Sequence, residues 1–184
     1  MSENKVKFGL KKCYYAVITD TAGVYTYGTP VAMPGAKTLS AARSGDSNTF
    51  EADDVDFWTT NSQQYDVSLE VAKLPESFFT DVLSFAEDGK NILWEDGSEC
   101  KRIALMFEVS GNQNNPRYAF LNCLPQPPDV EAETSKAKDP KTVTLKLTAS
   151  ADPNGRTMAI SKSDTDATAY GAWFTTVSAY TTGT

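Results

Sequence analysis

The feature that most constrains the fold is a strict alternation of apolar and polar residues over residues 65–71 (YDVSLEV). A period of two is that of a β-strand with one buried face and one solvated face. A second alternation of the same kind covers residues 142–148 (TVTLKLT). A slip of one residue would turn the apolar side chains to water, so both patterns also specify the register. The chain is therefore predicted to contain antiparallel β-structure.

Other runs rich in aromatic and β-branched residues extend this prediction. They cover residues 12–18, 91–95, 101–109, 118–123 and 157–160. Asp96 and Gly97 lie between the second and third runs and predict a hairpin turn. Residues 152–155 (DPNG) predict a second turn. In all we expect about eight to ten short strands.

One helix is predicted, over residues 75–88. Pro75 suits the first helical position, where its missing N–H costs nothing, and Gly89 is a suitable residue to end the helix. Apolar residues recur at helical spacing, so the helix should lay one face on the sheet. Those residues are Phe78, Phe79, Val82, Leu83 and Ala86. Residues 167–177 (ATAYGAWFTTV) are compatible with a short helix or a strand, and the sequence leaves both open.

The predicted fold is mainly β (α+β), because the helix interrupts the strands rather than alternating with them. We expect an antiparallel β-sandwich or barrel with one flanking α-helix and a long extended loop. A chain of 184 residues fits a single domain, here residues 1–184. Residues 1–11 are expected to form a flexible N-terminal segment, and residues 150–184 a C-terminal segment.

Residues 38–60 stand apart because they are polar, acidic and poor in large aliphatic residues. Strand-like runs flank them on both sides, which predicts an extended hairpin arm that projects from the β-domain. The acids of this arm are Asp46, Glu51, Asp53, Asp54 and Asp56, and only Arg43 opposes them. They lack the spacing and the glycine of an EF-hand calcium loop, so solvated acids are the preferred interpretation over a Ca²⁺ site.

The composition argues against most catalytic chemistry. The chain has no histidine, which removes the usual general base and the commonest metal ligand. Its three cysteines form no CxxC pair, and there is no phosphate-binding glycine loop or nucleophile elbow. We therefore expect no enzyme, no catalytic residue, no cofactor and no metal. Paired carboxylates for glycoside cleavage need only proximity in space, so the sequence leaves them open.

Charge and hydropathy limit the partners. The net charge is −7 and the pI is near 4.6, which argues against tight binding to nucleic acid. No run approaches the length of a membrane span, and the N-terminus has no apolar signal region, so we expect a protein kept inside a cell. Core or interface positions are expected for Trp58, Trp94 and Trp173, ahead of a role in stacking on sugars.

Several stretches, in order along the chain, resemble the major tail proteins, or tail tube proteins, of long non-contractile-tailed bacteriophages of Gram-positive bacteria. The resemblance covers most of the chain, and it is loose after residue 155. The stretches are residues 6–9, 14–20 (YYAVITD), 27–39 (YGTPVAMPGAKTL), 45–54 (GDSNTFEADD), 69–83 (LEVAKLPESFFTDVL), 117–122 (RYAFLN) and 142–148.

The resemblance implies a β-sandwich or barrel with a flanking helix, the phage tail tube fold. It also implies a structural virion protein, assembled in the bacterial cytoplasm into hexameric rings. The rings stack into a tube that conducts DNA, and a long loop bridges subunits or rings. Implied partners are other copies of the chain, a tape-measure protein, other tail proteins and DNA in transit, with no membrane. A tail terminator or a distal tail protein could share the pattern.

On this hypothesis the arm is an assembly element. The expected subunit or ring contacts are Arg43, Asp46, Phe50, Phe57 and Trp58, because aromatic residues contribute much of the energy of interfaces. The expected acidic face of the arm or lumen, which would repel DNA phosphate, consists of Glu51, Asp53, Asp54 and Asp56. The alternative is a monomeric β-sandwich binding module for carbohydrate or Ca²⁺.

Overall fold

A computed structural model describes residues 8–44, 47–52, 55–61, 64–110, 115–130 and 141–177 of the chain, with backbone alone for residue 8 and for residues 47–52 and 55–61. These residues form thirteen strands and two helices. In chain order they are β1 (Phe8–Thr21), β2 (Val24–Tyr27), β3 (Val31–Ala32), β4 (Ala36–Ser44), β5 (Ser47–Ala52), β6 (Val55–Asn61), β7 (Gln64–Val71), α1 (Glu76–Asp81), β8 (Ala86–Glu87), β9 (Leu93–Trp94), β10 (Ile103–Ser110), β11 (Arg117–Pro125), β12 (Val143–Ala149), β13 (Met158–Ile160) and α2 (Ala167–Ala172).

Nine of the strands form one sheet, in the order β2-β1-β10-β11-β12-β7-β4, with β3 added to β1 and β13 added to β11. Every pairing in it is antiparallel. β1 and β4 are far apart in the strand order, yet they lie close together in space. The sheet is therefore curved. The mainly β, antiparallel fold is confirmed, and the hydrogen bonds of the described strands close no barrel.

The two segments with alternating apolar and polar residues form neighbouring strands, β7 and β12. β7 pairs with β12 from the Tyr65–Ala149 pair to the Val71–Val143 pair without a register shift. Val67, Leu69 and Val71 are buried, as the period of two predicts. On its other side β7 pairs with β4 over residues 36–44, so the first part of the predicted arm belongs to the main sheet.

The sheet has apolar layers on both faces. Neighbouring residues on β1 and β10 belong to different clusters, with Tyr15 and Leu105 in one and Ala16 and Met106 in the other. Successive residues of a strand face opposite ways, so the two clusters lie on opposite faces. This explains why β10 is buried at Ile103 through Glu108 without interruption, as expected for a central strand covered on both sides.

The helix α1 covers the larger apolar layer but is shorter than predicted. Phe78 meets Tyr15 edge to face, with ring centroids 5.1 Å apart, and the Tyr15 hydroxyl lies 3.1 Å from Ser77 Oγ. The predicted helix is present, but its predicted extent to residue 88 is wrong, because Ser84 has a φ of +60° and turns the chain away. Gly89 therefore ends no helix.

The second helix, α2, resolves the alternative left open for residues 167–177. Its N-cap is Asp166, whose carboxylate accepts the backbone N–H groups of Thr168 and Ala169, both at 3.0 Å. Trp173 follows the helix and is buried against the small residues of the second sheet face.

The hairpin predicted at Asp96 and Gly97 is wrong. β9 pairs with β8 and not with β10.

Candidate assembly surfaces

The outer part of the arm is a two-stranded ribbon of β5 and β6. The β4–β7 ladder ends at the Ser44–Gln64 pair, and the next described pair, Ser47–Asn61, is three residues further along each strand. The two ladders therefore share one register. β5 and β6 add six pairs, or roughly 20 Å of ribbon, and no other described strand pairs with either of them. Among the described strands, both edges of the ribbon therefore have no partner.

Two expected aromatic contacts occupy facing positions in this ribbon. Phe50 pairs with Trp58 across the ladder, and Phe57 precedes Trp58 on β6. The acids Glu51 and Asp56 also face each other, beyond a register shift that follows Phe50. The ribbon thus brings four of the expected residues into two cross-strand pairs.

The other predicted arm residues are divided between the sheet and the rest of the chain. Arg43 lies on β4, where its guanidinium carbon is 5.2 Å from the centroid of the Tyr65 ring on β7. This cation–π contact ties Arg43 to the sheet at the base of the arm. Asp46, Asp53 and Asp54 lie outside the described residues.

A smaller hairpin, formed by β8 and β9, carries an exposed aromatic side chain that is held in place. Trp94 is 57% exposed and Ile92 is 47% exposed. The Asp88 carboxylate accepts the backbone N–H groups of Lys90 at 2.8 Å and Ile92 at 3.0 Å, and the indole N–H of Trp94 at 3.1 Å. These bonds lower the pKa of Asp88, with the bond from the Ile92 amide the largest cause. We call Ile92 and Trp94 the Trp94 knob.

A cleft of about 650 Å³ opens beside the start of α1. It lies at the end of the β4–β7 ladder away from the ribbon, because the ladder begins there with the Ala36–Val71 pair. Its lining is mostly small or apolar, and two charged residues, Lys73 and Glu76, complete it. The full lining is Ala32, Pro34, Gly35, Ala72, Lys73, Leu74, Pro75 and Glu76.

A buried polar cluster, which was not predicted from the sequence, fixes α2 to the sheet. Arg117 Nε donates to Glu108 Oε2 at 2.9 Å, and both residues are buried. The guanidinium also donates to the Tyr170 carbonyl and lies 3.6 Å from the centroid of the Tyr170 ring. Asn115 Nδ2 donates to Glu108 Oε1 at 3.0 Å. Glu108 and Arg117 are direct partners in the β10–β11 ladder, and only that register brings them together.

The three thiols are buried or half-buried. Burial raises the pKa of Cys13 and of Cys123 to about 12, so both remain protonated thiols at neutral pH. Cys100 is half-buried, and burial also raises its pKa.

Across the described ranges, no three His, Cys, Asp or Glu side chains are grouped to hold a metal ion. None of the helices in those ranges has the length and apolar character needed to cross a membrane.

Comparison with known proteins shows a likeness in structure and none in sequence. No family model matches the chain, and no curated protein matches it. Among solved structures, the chain is similar to a cryo-EM structure of the anti-feeding prophage cap (AFP tube terminating cap). The TM-score is 0.43 and the sequence identity is 9%, over 81% of this chain and 88% of that chain. At this TM-score and identity we draw no functional argument from the likeness.

Proposed function

We propose that this chain is a structural protein of a phage tail, whose copies assemble into stacked rings that form the tail tube. The rings are taken as hexameric from the sequence resemblance, and the tube is the conduit for DNA during ejection. On this proposal the protein is not an enzyme. Its partners are other copies of itself, a tape-measure protein and other tail proteins, and it resides in the virion.

The observation that carries the proposal is the β5–β6 ribbon. An isolated two-stranded hairpin is marginally stable in water, and its open edges invite pairing with another chain. The described strands of the same chain supply no third strand for it. A neighbouring copy in a ring or a stack would cover the ribbon, and closed rings use such edges productively.

The charge of the arm is consistent with a conduit. The chain contains no Lys or Arg between Arg43 and Lys73, while the arm carries five acids, Asp46, Glu51, Asp53, Asp54 and Asp56. A surface of one sign lining a lumen would repel DNA phosphate and let the genome slide. In this proposal Glu51 and Asp56 belong to that acidic face, and Phe50 and Trp58 contact a neighbouring copy.

A second candidate is the monomeric binding module. Exposed Trp94 favours its carbohydrate version, because an exposed indole offers an apolar face on which a sugar ring can stack. The described residues offer no grouped acids in favour of its Ca²⁺ version. Glycan-array binding that is lost in both Trp94→Ala and Trp58→Ala would support this candidate against the tube.

The test of the tube is a pair of variants imaged by negative-stain electron microscopy. In the first, a two-residue Asn-Gly turn replaces residues 47–61, which leaves the β4–β7 ladder intact. In the second, residues 44–48 are deleted. Both should keep a melting temperature near that of the wild type and fail to extend tubes. If both variants unfold, the arm is part of the core and the assembly role assigned to it is wrong.

A further inference from the structure

The turn between β12 and β13 contains a pair of residues with a chemistry of its own. Residues 152–155 have the sequence DPNG, and Asn154–Gly155 is the one Asn-Gly pair in the chain. Asparagine is thermolabile, because the backbone nitrogen of the following residue can attack its side-chain amide carbon. A glycine in that following position has no Cβ to hinder the approach. Both residues are exposed, so water can reach the products of such an attack.

The structure holds this turn closed with four hydrogen bonds. The Gly155 N–H donates to the Asp152 carbonyl at 2.9 Å, and the Asp152 N–H donates to the Arg156 carbonyl at 2.8 Å. The Asp152 carboxylate accepts the N–H groups of Asn154 at 2.9 Å and Arg156 at 2.8 Å. Asp152 is itself buried. The backbone is therefore fixed on both sides of Asn154.

The type of turn keeps the reacting atoms apart. A bond from the fourth residue back to the first, with Pro153 second and Asn154 third, is found in type I and type II turns. Type II requires a positive φ at the third residue, and Asn154 does not have one, so the turn is type I. Asn154 then has a ψ of about 0°, which directs the Gly155 nitrogen away from the Asn154 side chain. The attack therefore requires the turn to open.

We propose that Asn154 is a deamidation site that the native turn protects, and that its conversion marks chains in which this turn has opened. In the first step the Gly155 backbone nitrogen bonds to Asn154 Cγ and loses its proton, and the side-chain amide leaves as ammonia. The product is a five-membered succinimide. Water then adds to one of the two ring carbonyls and gives aspartate or isoaspartate, with the gain of one negative charge.

The conversion would alter the fold locally. β12 and β13 both pair with β11, through the Ala149–Cys123 and Met158–Phe120 pairs, and the turn sets the spacing between them. Isoaspartate adds a methylene group to the backbone at residue 154. That addition displaces Gly155 from the Asp152 carbonyl, so the type I turn cannot close again in its original geometry.

The test compares deamidation in the native protein and in the same protein unfolded in guanidinium chloride, at one mildly alkaline pH. Mass spectrometry of the peptide that contains Asn154 measures the conversion of amide to acid. We expect conversion to be at least about tenfold slower in the native protein, because the reaction must wait for local opening. Asn91 is the internal control, because the β-branched side chain of Ile92 hinders the same attack in both states.

Two variants test the role of the Asp152 carboxylate. Asp152→Ala removes the acceptor of two amides and should speed conversion in the native state. Asp152→Asn is the matched control, because its amide oxygen can still accept both N–H groups, and it should keep the protection. Both variants should convert at the wild-type rate when unfolded. If Asp152→Ala does not fold, the comparison of native and unfolded wild-type protein decides.

Three results would overturn the proposal. Equal rates in native and unfolded wild-type protein would show that the turn gives no protection. An Asn154 that stays unconverted in the unfolded chain would remove the site itself. Equal native rates in Asp152→Ala and Asp152→Asn would show that the carboxylate does not hold the turn.

Discussion

Arg117 and Glu108 form a buried ion pair, 2.9 Å from Nε to Oε2, at facing positions of the β10–β11 ladder. The guanidinium also contacts two rings of the C-terminal segment, since it lies 3.6 Å from the centroid of the Tyr170 ring on α2 and 4.9 Å from that of Phe174, beyond the helix. The pair thus joins the central strands to the C-terminal segment and helps to keep the second face of the sheet covered.

Removal of one member of this pair should be costly. Arg117→Ala removes the nearest cation of the buried Glu108 carboxylate and leaves it Lys12, whose Nζ is 3.9 Å from Oε2, so we expect a loss of about 3–5 kcal/mol in the free energy of unfolding. The double variant Glu108→Leu/Arg117→Met should be closer to the wild type, because it removes both charges. Lys37→Ala is the matched control in an exposed pair with Glu70, and about 0–1 kcal/mol is expected. Urea unfolding measures all three, and equal losses for Arg117→Ala and Lys37→Ala would contradict the account.

Phe78 should be the main support that α1 gives to the core. It is fully buried, and its ring meets that of Tyr15. Phe78→Ala should destabilise the subunit by about 3–5 kcal/mol, because it removes a buried ring and leaves a cavity. Trp94→Ala, at an exposed position, should change the stability of the isolated subunit by less than about 0.5 kcal/mol. Thermal or urea unfolding distinguishes the two, and a large loss in Trp94→Ala would place the knob in the core.

The buried thiols predict a reactivity order and an alkaline limit on stability. Cys100 should be alkylated first in the folded protein, while Cys13 and Cys123 should react only on unfolding. The pKa of Cys13 and of Cys123 is raised to about 12 in the fold, against an ordinary 9.0. Their contribution to stability is therefore fully present below pH 9 and is lost as the pH rises towards 12. Mass spectrometry after timed alkylation checks the order, and early labelling of Cys123 would refute it.

The Trp94 knob should respond to acid through Asp88. Hydrogen bonds from the Ile92 and Lys90 amides and the Trp94 indole hold the pKa of Asp88 below its ordinary 3.8. The carboxylate form is therefore retained above that pH, and the bonds weaken as the pH falls below it. Asp88→Asn should release the indole at neutral pH, because its one acceptor oxygen would stay with the Lys90 and Ile92 amides and its NH₂ group cannot accept the indole N–H. Trp94 indole N–H resonances by NMR report the change.

Asp96→Asn is the control for this prediction. Asp96 accepts the Ser98 amide N–H and also has a lowered pKa, but it has no bond to Trp94. A Trp94 signal that moves equally in both variants would show that Asp88 does not position the ring.

The sequence predicted the strands whose two faces differ. Apolar and polar residues alternate along β7 and β12 because one face of each strand is solvated. The structure has the predicted alternation of burial, and the two strands pair without a register shift. The length of α1 was mispredicted for a tertiary reason. Helical spacing continues through Leu83, but the Val82 carbonyl, which a longer helix would bond to residue 86, instead accepts the Lys101 N–H at 2.7 Å. Such a competing bond has no local signature.

The same limit applies to the candidate surfaces. An arm at residues 38–60 follows from its polarity, yet the division between β4 in the main sheet and the β5–β6 ribbon depends on strand partners. The Arg117–Glu108 pair depends on the β10–β11 register, and the cleft on the approach of Gly35 to Ala72. The position of Trp94 outside the core follows from β9 pairing with β8 rather than β10.

Assembly itself is the most direct test of the central claim. Purified wild-type protein should be imaged by negative-stain electron microscopy across a range of concentration and salt, with its mass in solution measured in parallel. The account predicts rings or stacked tubes, and their loss when a two-residue turn replaces residues 47–61. A particle that stays monomeric at high concentration under every salt condition would contradict it.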